Sequence, residues 1–350
     1  MSHASISAET DLFLALSPDA VLSAVEAGGL ACRPVCFPLN SFENRVYMME
    51  AENGKRIISK FYRPLRWSRA QILEEHQFLA DLAEKEVPVC PVLPFPDGET
   101  VKRVNGIYYC LFESRGGRAP EELRDEDVER MGMLVARMHN VGAEREAAHR
   151  LRIDAQTYVH DNLDWLEQHQ TVPPQFWPRY RQAAEAIAAI ADDYMSGVEC
   201  HRIHGDFHLG NVLLRDGVFN VLDFDDMVVG PAVQDLWLAL PGRDAYTLRQ
   251  REVFLEGYQR FREFDRRTLR LIEPLRGLRV IHYATWLAKR WHDAIFPRTW
   301  PHFGTEDYWL DETRELEDLL VFIRDEGGLA PAEPEQAELS NKDYFFDWED

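Results

Sequence analysis

The sequence predicts an α+β chain, with a β-rich front part followed by a mainly helical back part. Three observations carry this. In "PLNSFENRVYMMEAENGKRIISKFY" apolar and polar residues alternate around a turn signal, the period of half-buried strands, and "VCPVLPFPDGETVKRVNGIYYCLFESRGG" gives more strands between turns. In "DEDVERMGMLVARMHNVG" Met131, Leu134, Val135 and Met138 fall on one stripe, the period of an amphipathic helix. A length of 350 residues with 45% hydrophobic content is enough for two domains or one large two-lobed unit. The change of character near Glu113–Arg118 sets the expected boundaries: a sheet part over 1–113, a helical part over 114–330, and a flexible acidic tail over 331–350.

The elements follow in order. "SPDAVLSAVEAG" has Ser17 as N-cap, Pro18 at the first helical position and Gly28 at the end, so it is a short helix. The turn "ENGK" joins two strands in which Val46, Met48, Ile57 and Phe61 take strand positions. "WSRAQILEEHQFLADLAEKEV" opens a helix with Ser68 as N-cap, Gln71 in the capping-box position and Trp67 facing Ile72, and Pro88 ends it. Turns at "PDGE" and "VNGI" separate further strands. After the helix at 125–142 comes "PQFWPRYRQAAEAIAAIADDYMS", a second long helix. Residues 201–226, "HRIHGDFHLGNVLLRDGVFNVLDFDD", then give a loop, a strand, a turn and a second strand, and from Gln234 the pattern is helical again. The segment from Pro331 holds seven acids and one lysine, a composition that favours a solvated appendage.

Composition excludes several function classes. A formal net charge of −21 opposes a sequence-independent grip on nucleic acid or on an anionic membrane, because both present phosphates. No run of residues is long and apolar enough to span a bilayer, and the N-terminus has neither the basic nor the apolar region of a signal peptide. The five cysteines are scattered, without the paired spacing of a zinc site, which suits free thiols in a reducing cytoplasm. A cytoplasmic monomer is expected.

The chemistry concentrates in 201–226. Asp206 and Asn211 lie in a loop, five residues apart, and Asp223 ends the strand that follows the turn at Arg215–Gly217. A tight hairpin there brings Asn211 and Asp223 to the same end of its strands and gathers Asp206 with them. An Asp and an Asn offering oxygens suit Mg²⁺, a hard cation that keeps water and substrate phosphates as its other ligands. A second Asp, left unligated, can accept a proton from an attacking hydroxyl.

"HGDFHLGN", followed by the Asp of "VLDFDD", resembles the motif of the aminoglycoside phosphotransferase and choline kinase family, which shares the bilobal protein-kinase fold. "PLNSFENRVYMM", "KFYRPLRWSRAQILEEHQFLADL", "ESRGGR", "GPAVQDLW" and "EDYWL" resemble a bacterial serine/threonine kinase branch of it that serves a stress response, a likeness running from about Pro38 to Leu310. The resemblance implies a β-rich N-lobe, a mainly helical C-lobe, ATP as phosphoryl donor and Mg²⁺ as cofactor. It implies Asp206 as the proton acceptor, Asn211 and Asp223 as metal ligands with Asp223 also catalytic, Lys60 on the nucleotide's phosphates, and Ser41 at the nucleotide. Glu75 is the expected partner of Lys60, because it shares a helix face with Ile72, Leu79 and Leu82; Glu74 is the alternative. Two departures stand out: "NSFENRVY" replaces the glycine-rich phosphate loop, and Gly205 replaces the Arg that precedes the catalytic Asp in protein kinases.

The implied acceptor is a protein Ser/Thr hydroxyl. The alternative within the fold is a small alcohol, such as an aminoglycoside-, choline- or homoserine-like compound, and the alternative outside it is an inactive binding module. Other features read as structural: His204 as a loop brace rather than part of a zinc cluster with His201 and His208, Asp225 and Asp226 as solvated acids, and Trp286, Trp291, Trp300, Tyr308 and Trp309 as core rather than a ligand cage. Asp235 is either a helix N-terminal acid favoured by the dipole or a brace for the loop.

Overall fold

The computed structural model describes residues 11–39, 41–120 and 123–326. The chain divides into two compact units, and the first holds the residues up to Pro120 together with Ala147–Arg150 and Asn211–Asp225. This unit is built on a six-stranded antiparallel sheet. After α1 (Pro18–Ala27) come β1 (Cys32–Leu39), β2 (Arg45–Ala51) and β3 (Arg56–Phe61), then α2 (Arg69–Glu84), then β4 (Val92–Leu93), β5 (Lys102–Val104) and β6 (Ile107–Glu113). The order across the sheet is β1-β2-β3-β6-β4, with β5 also paired to β6.

The expected local signals are in place. Ser17 Oγ accepts the Ala20 N–H at the start of α1. At α2 the Ser68 hydroxyl accepts from Gln71 N while the Gln71 carboxamide accepts from Ser68 N, a complete capping box. The sequence pattern does not announce β1, because Pro34 and Pro38 break it. Among the described residues β1 pairs with β2 alone, and on the outward side of an edge strand the missing donor of a proline costs no ladder bond.

Alternation along β3 fixes the rest of the unit. Ile57 and Phe61 face a core of Tyr47, Met49, Tyr109, Leu111 and the α1 residues Val21, Ala24 and Val25. Phe61 is fully buried and stacks on Tyr109 with ring centroids 4.9 Å apart; burial of such a ring contributes about 2–3 kcal/mol. Lys60, one residue out of phase, points to the other face, with Cys110 opposite it in the register. That face carries a smaller cluster of Tyr62, Ile72, Val101 and Cys110.

The second unit is mostly helical: α3 (Asp125–Ala143), α4 (Asp161–Gln168), α5 (Trp177–Met195), then β7 (Cys200–Ile203) leading into the loop that carries Asp206. The chain rejoins the first unit as a hairpin, β8 (Val212–Arg215) and β9 (Val218–Val221), and returns as β10 (Val228–Pro231), antiparallel to β7. Helices α6 (Val233–Ala239), α7 (Ala245–Tyr258), α8 (Ile272–Arg290), α9 (Ile295–Thr299) and α10 (Glu306–Glu326) complete it. In the hairpin Arg215 pairs with Val218 across Asp216 and Gly217, both in the left-handed region at φ 51° and 76°, which a two-residue turn of this hand requires.

Residues 114–120, 147–150 and 211–225 group with the sheet, although the sequence boundary after 113 assigned them to the helical part. Backbone pairing is the reason for the first and last, where Arg118 and Leu214 exchange hydrogen bonds of 3.2 and 2.8 Å and Val221 N donates to Pro88 O at 2.9 Å, while the N–H groups of 148–150 donate to the Glu74 carboxylate. The acidic tail at 331–350 lies outside the described residues. Among the described residues no helix is long and apolar enough to cross a membrane.

Candidate active site

In the first unit, Lys60 is the centre of a buried charge cluster. Its Nζ lies 3.3 Å from Glu75 Oε1, 3.2 Å from Asp223 Oδ1 and 2.9 Å from Asp225 Oδ1. Burial alone would push the ammonium toward neutrality, but Asp225, Glu75 and Asp223 outweigh it and hold Lys60 charged, well above its ordinary range. Between the two candidate glutamates the structure separates the roles. Glu75 is fully buried and takes Lys60 on one oxygen, with Tyr62 Oη (3.2 Å) and Arg150 Nη2 (3.0 Å) on the other. Glu74 instead accepts the backbone N–H groups of Ala148, His149 and Arg150, at 2.8–3.0 Å.

Asp225 is a correction to the sequence reading, which placed it in solvent. Its carboxylate is only 3% exposed, and Oδ2 lies 2.6 Å from Arg66 Nη1 while the backbone oxygen accepts from Arg150 Nη1 at 2.6 Å. Burial would raise its pKa, yet Arg66 and Lys60 hold it below the ordinary carboxylate range. A carboxylate enclosed by two cations costs less to bury than to leave those cations unpaired. Arg66 and Arg150 carry no periodicity and sit in loops, so no local pattern singles them out.

Asn211 and Asp223 end adjacent strands of the hairpin: Val212 pairs with Val221, and Leu222 N donates to Asn211 O at 2.8 Å. Asp223 has φ 54°, and its carboxylate is 56% exposed, with one oxygen on Lys60. Asp223 offers an exposed carboxylate, and Asn211, at the same end of the hairpin backbone, is of a residue type that offers a carboxamide oxygen; both are hard-oxygen donor types that suit Mg²⁺ sharing its remaining positions with water and phosphate. Ser41 lies half-buried in the turn between β1 and β2, where its hydroxyl accepts from Asn44 N at 3.3 Å.

The loop of the second unit is built around Asp206. Arg279, on α8, donates from Nη2 to Asp206 Oδ1 at 2.7 Å, and His208 Nε2 faces Oδ2 at 3.5 Å. Burial would raise the Asp206 pKa, but Arg279 and then His208 bring it well below the ordinary range, so it stands ionised. Asp235 braces the loop: buried at the start of α6, it accepts from His204 N (3.0 Å), Gly205 N (2.9 Å) and His139 Nε2 (3.0 Å). Of its two sequence readings, loop brace describes these contacts. His204 Nδ1 accepts from Asp206 N at 3.3 Å. Gly205 is at φ 82°, and a Cβ there would sit 2.4 Å from Asp226 O, so the Arg of protein kinases has no room in this loop. Arg279 was missed from the sequence; it lies on the apolar face of a long helix, where it reads as one more interrupting charge.

Among the described residues no group of three or more His, Cys, Asp or Glu side chains can hold a metal ion. Trp309 is fully buried and meets Tyr180 edge-on at 5.7 Å, while Arg290 already covers the face of Trp286 at 5.0 Å.

Residues 36–272 match the phosphotransferase enzyme family. The chain is 40% identical to stress response kinase A of Escherichia coli (strain K12) over 302 residues, 86% of this chain and 92% of that protein. It is 38% identical, over the same shares, to a Salmonella typhimurium protein described as serine/threonine protein kinase RdoA. Among solved structures, amicoumacin kinase hAmiN in complex with AMP-PNP, Ca²⁺ and Ami superposes with a TM-score of 0.69 at 21% identity, covering 93% of this chain and 96% of that one.

Proposed function

Because the chain belongs to the phosphotransferase enzyme family, as a kinase of the protein-kinase-like fold, we propose that it transfers the γ-phosphoryl group of ATP to the hydroxyl of a protein serine or threonine. The observation that carries this reading is the Lys60 cluster, where an ammonium is held charged by Glu75 and Asp223 at 3.3 and 3.2 Å. A buried permanent cation beside an exposed carboxylate is what binding a polyphosphate requires. Kinship at 40% identity with a kinase of stress response, and at 38% with one named for serine and threonine, favours the protein acceptor.

The chain's own residues divide the work. Lys60 binds phosphate oxygens, with Glu75 and Arg150 fixing its position. Asn211 and Asp223 are the residues that would hold Mg²⁺, which when bound neutralises charge on the phosphates. Asp206 accepts the proton of the acceptor hydroxyl as its oxygen bonds to phosphorus and the bond from phosphorus to the ADP oxygen breaks. Asp206 stands ionised at neutral pH, so its carboxylate has the lone pair that takes that proton. Five unpaired cysteines agree with a reducing, cytoplasmic setting.

The test is incubation with radiolabelled ATP, alone, with a generic protein substrate, and with a panel of aminoglycosides, choline and homoserine. Label in the protein substrate, lost in Asp206→Asn, is the expected result. Label confined to one of the small alcohols would replace the protein acceptor with that compound, as the hAmiN-like fold allows.

A further inference from the structure

The phosphate-covering hairpin of this chain has no glycine-rich sequence, and the structure shows what holds it instead. Its turn, Ser41–Asn44, is stitched to the segment after β3. Arg63 donates from Nε to Glu43 O (3.0 Å) and from Nη2 to Phe42 O (3.1 Å), and its own N–H goes to Asn44 Oδ1 (3.2 Å). The Glu43 carboxylate lies 3.4 Å from Arg63 Nε and 3.4 Å from Arg66 Nη1. Arg66 Nη1 lies in turn 2.6 Å from Asp225 Oδ2, whose other oxygen is 2.9 Å from Lys60 Nζ. A continuous line of ion pairs therefore runs from the hairpin turn through Glu43, Arg66 and Asp225 to Lys60. All its members are largely buried: side-chain exposures are 12% for Glu43, 11% for Arg66, 3% for Asp225 and 6% for Lys60.

From this geometry we infer that Asp225 and Arg66 are positioning residues that tie the hairpin turn to Lys60, replacing a flexible glycine loop with a stiff cover whose position is set by the phosphate-binding lysine. Asp225 occupies the third position of the "D-F-G" triplet of protein kinases. A glycine there would leave Arg66 and Lys60 each short of a buried counter-charge. In this chain the residue that departs from the motif is the link, and it acts on the nucleotide side of the reaction only. The inference rests on the reading of Lys60 and the hairpin as the nucleotide site.

The experiment compares wild type, Arg66→Met, Asp225→Asn and the double variant. It reads hydrogen exchange of the peptide over 41–49, calorimetric affinity for a non-hydrolysable ATP analogue, and KM for ATP and for acceptor. Each single variant should speed hairpin exchange and raise KM for ATP by about tenfold while KM for acceptor stays within about twofold. Because the two residues act as one link, the double variant should be no worse than Arg66→Met by more than about twofold. Multiplied, independent effects, or hairpin exchange at the wild-type rate, overturn the inference. Should Asp225→Asn fail to fold, Glu43→Gln cuts the same line at its hairpin end without touching Lys60, and an unchanged exchange rate in that variant is equally fatal. Wild type that binds no ATP analogue removes the nucleotide reading itself, a result none of the variants can produce.

Discussion

At the scale of single residues, identical side chains are given different tasks by what surrounds them. Asp206, Asp223 and Asp225 lie within twenty positions of one another. Asp206 is locked by Arg279 at 2.7 Å, Asp223 is left 56% exposed with one oxygen on Lys60, and Asp225 is walled in by Arg66 and Lys60. These environments separate the two proposed chemical roles. Asp223→Asn should abolish Mg²⁺-dependent nucleotide binding and turnover together. Asp206→Asn should leave nucleotide affinity near wild type while turnover falls by about a hundredfold or more, the scale of a lost proton acceptor. Calorimetry with the ATP analogue, paired with turnover, checks both; an Asp206→Asn protein that loses nucleotide while Asp223→Asn retains it would reverse the assignment. The adjacent pair Glu74 and Glu75 makes the same point: one step along a helix turns a side chain by about 100°, enough to move it from Lys60 to the backbone of 148–150.

At the scale of elements, the second unit depends on two glycines where α3 crosses α7. A Cβ on Gly132 would lie 2.0 Å from Phe254 O, and one on Gly257 would lie 2.0 Å from Glu129 O. Backbone meets backbone there, so neither side can yield as a flexible side chain would. The same α3 contributes His139 to the carboxylate of Asp235, and through it to the loop of Asp206. Gly132→Ala should therefore destabilise the second unit by about 1–3 kcal/mol, the usual cost of overpacking, and lower turnover as the brace shifts, with nucleotide affinity retained. Thermal unfolding and turnover below the transition check it; an unchanged melting temperature means the helices can part without cost.

At the scale of the whole molecule, each unit buries a histidine that resists protonation. Burial, then Lys60 and Arg150, lower the His76 pKa to about 3. Burial, then His139 and Arg262, lower that of His201 to about 2. His76 is satisfied as a neutral ring: Tyr62 gives its proton to Glu75 and so accepts from His76 Nε2 (3.1 Å), while Nδ1 accepts from Thr100 Oγ1 (2.8 Å). Both folded values lie below the unfolded one, so the unfolded chain binds the extra protons. Stability is then complete above about pH 6.5 and falls as the pH drops toward the folded values, by about 2 kcal/mol per histidine at pH 5. The depressed carboxylates Asp206 and Asp225 add stability that is fully present above about pH 4, where their unfolded forms titrate, and is lost only below it, so they do not enter the interval from pH 7 to pH 5. Urea unfolding at pH 7 and pH 5, repeated on His76→Gln and His201→Gln, checks this; variants that lose as much stability as wild type over that interval would show the histidines are not its source.

What the sequence determined by itself was everything decided within a few residues. The capping box of Ser68 and Gln71, the Asp216–Gly217 turn, the helical stripes, and the hairpin that sets Asn211 beside Asp223 all follow from local spacing. The motif around Asp206 was legible for the same reason, since its members are five residues apart. What only the tertiary structure decided were the partners of those residues. Arg279 reaches Asp206 across 73 positions, and Arg150 reaches the Asp225 backbone across 75. The acid read as solvated became the buried link of the Lys60 cluster, and the proline-bearing segment at Cys32–Leu39 became an edge strand. A cap or a tight turn is specified by bonds that close within one turn of chain. A buried ion pair is specified by which distant segments the core brings together and by the cost of leaving a charge there alone, and neither is written in the residues on either side of it.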